Sequence, residues 1–187
     1  MAIDRAFEPA LMKAIRSLEI GAYGLTAKNV RNLSDVQLED KIAIPNDERL
    51  FAIAEAFRRG MMVEEIEALS HIDRWFLHKI QNLVTLETKL KLHGRGIAVL
   101  VDTLDADAPE AELLREAKRM GFSDRQISEY AGLTESLVRN LRKAFGILPT
   151  YKMVDTCAAE FEAATPYFYS CYDREDEGVP VCEHTSG

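Results

Sequence analysis

Ala56-Phe57-Arg58-Arg59-Gly60 and Ala117-Lys118-Arg119-Met120-Gly121 are one helix ending written twice, sixty-one positions apart. Just before it, Glu55 falls on Glu116; just after it, Ile66 falls on Ile127. The apolar series Ile72, Phe76, Leu77, Ile80 then falls on Leu133, Leu137, Val138, Leu141. A helical unit repeated in this way buries its apolar face against its neighbour. The positions that match are core and cap positions, not reactive ones, which points to a scaffold.

Each unit reads as helix, glycine, short helix, tight turn, helix. Gly60 and Gly121 stand where a left-handed C′ residue closes a helix without a Cβ clash. In the second copy Ser123 and Gln126 form a capping-box pattern, with Phe122 and Ile127 as its hydrophobic staple. The first copy keeps the staple as Met61 and Ile66 but has Met62 at the cap position, so its short helix should start less firmly. Asp73 and Thr134 occupy equivalent N-cap positions for the third helices. The third helix of copy one is predicted to run through Leu83, Leu86 and Leu90 to Gly94. Asp107 and Pro109 open copy two, and Gly146 and Pro149 close it.

Outside the repeat, Phe7, Leu11, Ala14, Ile15 and Leu18 predict a first helix over about Asp4–Ile20, with Gly21 and Gly24 ending it. Pro9 in the first turns moves its start to Phe7 or Glu8. A loop follows, with a short helix near Ser34–Lys41 and Asn46 or Asp47 as the cap opening copy one. After Pro149, Tyr151–Thr156 and Tyr167–Tyr172 favour extended backbone, and the acidic run from Asp173 reads as a solvated linker or frayed end. The expected fold is all-α: a helical subdomain at 1–93, a second at 94–150, and an extended aromatic segment with an acidic tail at 151–187.

At 187 residues and 47% hydrophobic the chain suits a folded globular domain, and a net charge of -8 should repel phosphate polymers unless a local basic face overrides it. No apolar run approaches the ~20 residues that cross a bilayer. Three cysteines, Cys157, Cys171 and Cys182, are an odd number and fit reduced thiols in a cytosol-like compartment.

Copy two offers the sharpest rival reading, a helix-turn-helix with Gly132 in its turn and Ser136, Arg139, Asn140 and Lys143 facing a major groove. Residues 113–145 carry seven Lys or Arg against four Asp or Glu. The acidic whole, and a first copy with no basic recognition face, weigh against nucleic acid. Cys182-Glu183-His184 lacks the partners of a tetrahedral metal site. His71 and His78 sit seven apart, on similar faces of one expected helix, with no carboxylates arranged around them. Cys157 has no positioned base, Asp155 and Glu160 read as caps or ion pairs, and no phosphate-cradling glycine motif occurs. No catalytic, cofactor or metal set emerges.

Four stretches carry a resemblance: Phe7-Glu8 with Ala14-Ile15-Arg16-Ser17-Leu18-Glu19; Ile72-Asp73-Arg74-Trp75-Phe76-Leu77; Gly121-Phe122-Ser123-Asp124; and Val154-Asp155-Thr156-Cys157-Ala158-Ala159-Glu160-Phe161. Together they resemble the connecting, or oligomerisation, domain of the carbamoyl-phosphate synthase large chain, over roughly residues 2 to 172. Met1-Ala2-Ile3 with Arg5 and Phe7 also resembles the exit from that enzyme's first ATP-grasp half. Residues 26–45 and 94–108 match poorly, and Pro9 stands where the family has a polar helix former. The resemblance implies an all-helical linker between two ATP-grasp halves, which make carbamoyl phosphate from bicarbonate, glutamine-derived ammonia and ATP with Mg or Mn. It further implies those halves, a glutaminase small chain or domain and a second copy of the chain as partners. The expected location is the cytoplasm, or the mitochondrial matrix for a urea-type enzyme. The halves hold the catalytic residues, so none is carried over. As structural or interface residues the sequence nominates Asp73, Arg74, Trp75, Phe76, Thr134, Asp155 and Thr156, with Trp75 either a core residue or an interface anchor.

Overall fold

The computed structural model describes residues 1–154 and 167–178. Helix α1 spans Phe7–Ser17 and buries Pro9, Met12 and Ile15. It stops short of Gly21: the left-handed residue after it is Glu19, at φ 55°. A four-residue helix that the sequence reading lacks, α2 (Lys28–Arg31), is too short to carry a periodic signal. Next comes α3 (Asp35–Ala43), opened by a full capping box between Ser34 and Gln37.

Copy one follows as α4 (Arg49–Arg58), α5 (Val63–Ser70) and α6 (Arg74–His93). Asn46 caps the turn before α4 by accepting from the Glu48 N–H at 2.9 Å, while α4 itself starts without a side-chain cap. A 3-10 segment, Gly94–Val99, and α7 (Leu100–Thr103) lead into copy two, α8 (Pro109–Arg119), α9 (Asp124–Ala131) and α10 (Glu135–Ala144). Shifted by sixty-one, α5 lands on α9, and the first residue of α6 lands on that of α10.

The closing bonds also repeat. The N–H of Met61 donates to the Ala56 carbonyl at 3.0 Å, and that of Phe122 to the Ala117 carbonyl at 3.0 Å. This six-to-one bond marks the Schellman ending, which needs the positive φ that Gly60 and Gly121 supply. Copy one's short helix makes half a capping box, the Met62 N–H donating to Glu65 at 2.6 Å. Methionine has no oxygen to return the favour to the helix. One apolar cluster runs through both copies, from Met12 and Ile15 through Ile66, Leu77 and Leu86 to Leu114, Ile127 and Val138.

The extended segment forms an antiparallel pair, β1 (Thr150–Val154) with β2 (Tyr167–Cys171), in register Thr150↔Cys171 and Met153↔Phe168. Because side chains alternate across a strand, Lys152 and Cys171 turn inward while Tyr151, Met153 and Phe168 face solvent. Residues 174–178 are not a free tail. Asp176 accepts from the Tyr151 N–H at 3.0 Å, Glu177 from the Met153 N–H at 2.9 Å, and Lys152 pairs with Glu175 at 3.1 Å. Acidic composition alone suggested solvation; these carboxylates instead satisfy the hairpin's open edge and its buried lysine. Arg5 reaches Asp173 at 2.6 Å, so the N-terminal segment lies against the hairpin.

Candidate interaction surfaces

The cap on α6 decides where its first side chains point. Asp73 accepts from the Trp75 N–H at 2.8 Å, fixing the first turn. With Leu77 turned into the core, its neighbours Trp75 and Phe76 fall on the outer side, 53% and 44% exposed. Phe7 of α1 completes the group: ring centroids lie 5.6 Å (Phe7–Trp75), 5.4 Å (Phe7–Phe76) and 5.0 Å (Trp75–Phe76) apart, all edge-to-face. Such pairs contribute about 0.5–1.5 kcal/mol each beyond burial. Lys79 stands over the Trp75 ring at 5.3 Å and pairs with Glu8 at 3.2 Å. Burial would raise the Glu8 carboxyl, but hydrogen bonds from Asn82, its own backbone and Lys79 outweigh it and hold the group below its usual range. Arg74 pairs with Glu67 at 2.5 Å on exposed surface, where water screens the attraction. The sequence placed Phe7 in the core stripe of α1; the structure makes it part of a half-exposed aromatic surface.

A second polar centre was not foreseen. Lys118 is buried, and its ammonium donates to the Phe122 carbonyl at 2.8 Å and to Asp124 at 2.7 Å. Arg142 of α10 reaches the other Asp124 oxygen at 2.7 Å. Tyr172, just past β2, lies under both cations, its ring centroid 4.9 Å from Lys118 and 6.0 Å from Arg142. Burial pushes the Lys118 ammonium down; Asp124 opposes that, and Arg142 and Arg16 reinforce it. Burial would raise Asp124, but Lys118 and then Arg142 bring it below its ordinary value. These partners come from α8, α9, α10 and the hairpin, so no local spacing announces them.

Thr134 caps α10 by accepting from the Leu137 N–H at 3.3 Å. Asp155 and Thr156 lie outside the described residues, as do Cys157, Glu160 and Cys182. His71 is not on the same helix as His78: it is the left-handed residue closing α5, at φ 54°. Ser136, Arg139, Asn140 and Lys143 are exposed on α10. No helix among the described residues is long and apolar enough to cross a membrane.

The sequence profile of the carbamoyl-phosphate synthetase large-chain oligomerisation domain matches residues 1–146. The chain belongs to this family. The carbamoyl phosphate synthase large chain of Caldanaerobacter subterraneus subsp. tengcongensis is 48% identical over 177 residues, covering 95% of this chain and 15% of that protein. The protein named carbamoyl phosphate synthase large chain, N-terminal section, of Aquifex aeolicus is 48% identical over 174 residues, 93% of this chain and 29% of its own length. Its namesake in Methanopyrus kandleri is 47% identical over 181 residues, 96% and 32%. The chain therefore spans less than a third of each of these three curated relatives. The oligomerisation-domain profile ends before the hairpin, which the large-chain alignments largely include.

Proposed function

We propose that the chain is the connecting and oligomerisation domain of a glutamine-dependent carbamoyl-phosphate synthase large chain, holding two ATP-grasp halves in register and offering a face for self-association. The parent reaction joins bicarbonate and glutamine-derived ammonia with ATP, in arginine, pyrimidine or urea-type metabolism. Its site in the cell is the cytoplasm, or the mitochondrial matrix for a urea-type enzyme. Partners are the flanking halves, a second copy, and a glutaminase small chain through the parent. Among the described residues, no three His, Cys, Asp or Glu side chains gather as metal ligands. Mg or Mn with ATP would bind in the halves.

One observation carries this reading: Trp75 and Phe76 are held by edge contacts with each other and with the part-buried Phe7 and by a capped helix start, yet stay about half in water. Rigid, exposed aromatics of this kind are the usual anchors of protein interfaces. Replacing Trp75 and Phe76 together by Ala is expected to lower the oligomeric order in sedimentation velocity while the helical circular dichroism stays that of wild type. Unchanged sedimentation would count against the assignment of this face.

A further inference from the structure

Between α1, the α8–α9 turn and the end of β2 lies an open cavity of about 230 Å³. Lys13, Arg16, Lys118 and Arg119 line it, and Arg142 stands behind Asp124. Three carboxylates, Asp4, Asp124 and Glu135, face these four lining cations, and Arg119 also leans on Glu112 at 3.8 Å outside the cavity. Asp4 is taken up by Lys13 at 2.7 Å, and Asp124 is shared between Lys118 and Arg142. Glu135 also lines the cavity and is exposed, without an ion pair among the described residues.

Arg16 is the telling member. Its guanidinium donates to the Gly121 carbonyl at 2.7 Å and, among the described residues, has no carboxylate within pairing distance. A guanidinium has five N–H donors in a fixed fork that matches an oxyanion, and among the described residues a single hydrogen bond, to the Gly121 carbonyl, takes up this one at the cavity wall. Burial pushes Arg16 down, and Tyr172 opposes it. The space is below the ~300–1,000 Å³ of sites for drug-sized ligands, but holds a tetrahedral oxyanion with several waters at ~30 Å³ each.

We propose that this cavity is a binding site for a small tetrahedral dianion of the phosphate class, held by the Arg16 fork and Arg119, with Lys118 supplying charge from beneath. Bound there, the anion ties α1 to α8 beside the end of β2 at Cys171. The test is calorimetric titration of the whole chain with inorganic phosphate, at constant ionic strength set by sodium chloride. One saturable site is expected, with sulfate competing and chloride not. Arg119→Gln, on exposed surface, should weaken phosphate binding about tenfold, the scale of one charge-assisted contact. Arg16→Gln should abolish it; should that variant not fold, Arg119→Gln decides alone. Heats that depend on ionic strength alone, or phosphate affinity unchanged in Arg119→Gln, overturn the proposal.

Discussion

Gly60 and Gly121 hold nearly the same left-handed backbone, φ 88° and 86°, but only Gly121 has another element pressed against it. A Cβ there would stand 2.7 Å from the Pro9 Cα of α1, whereas at Gly60 it would meet nothing within 4 Å. The contrast extends through both copies. Phe57, Val63 and Gln81 of copy one occupy the positions of Lys118, Asp124 and Arg142 in copy two. Trp75 and Phe76 correspond to Ser136 and Leu137, and a third helix of 20 residues to one of 10. One frame of caps and glycines has thus been filled in two ways. Copy one buries apolar Phe57 and Val63 at the first two of these positions, has part-exposed Gln81 at the third, and carries aromatics on its outside. Copy two buries a charged centre that holds α1 and the hairpin.

The largest expected effect isolates that charged centre. Asp124→Asn leaves two buried cations without their counter-charge, which costs about 3–5 kcal/mol where a buried pair is broken. Lys118→Met moves copy two toward copy one's apolar filling and should lose far less, because Asp124 keeps Arg142. Because Asp124 titrates below its ordinary 3.8 when folded, its contribution is present above that value and fades as pH falls through the lower folded value. The gap in melting temperature between Asp124→Asn and wild type should therefore close in acid. Equal losses for the two variants at neutral pH would break the comparison.

The glycines give the next contrast. Gly60→Ala meets only the left-handed strain, about 1–2 kcal/mol. Gly121→Ala adds a backbone clash with Pro9 and should lower denaturant stability by a further ~1 kcal/mol or more. Similar losses would mean that α1 does not rest on this turn as described. The caps mark where the copies agree: Asp73→Ala and Thr134→Ala should each lose about 1 kcal/mol, and within error the same amount. A silent Thr134→Ala would show that the second third helix does not depend on its cap.

What could be read from the sequence was whatever is encoded within one or two turns. The glycine endings, the Ser123–Gln126 box, the caps at Asp73 and Thr134 and the stripe of α6 depend on residues three or four apart, so composition and spacing reveal them. The strands were legible for the same reason, from their aromatic and β-branched runs. Lys118 was not: a lysine at a helix end reads as solvated, and only Asp124, Arg142 and Tyr172 together make it a buried one. The acidic run after Asp173 misled in the same way, since its partners are strand N–H groups more than twenty residues away. Trp75 was undecided because an aromatic at a helix start packs inward or outward according to what lies beyond the helix. The structure sets it on the surface against Phe7.

Trp75 is the single tryptophan of the chain, so its fluorescence reports on the outer face of copy one alone. Emission and acrylamide quenching should be followed from dilute to concentrated protein, with sedimentation on the same samples. The account predicts a blue shift and falling quenching as the oligomer forms. Emission and quenching that stay constant while the assembly state changes would contradict it.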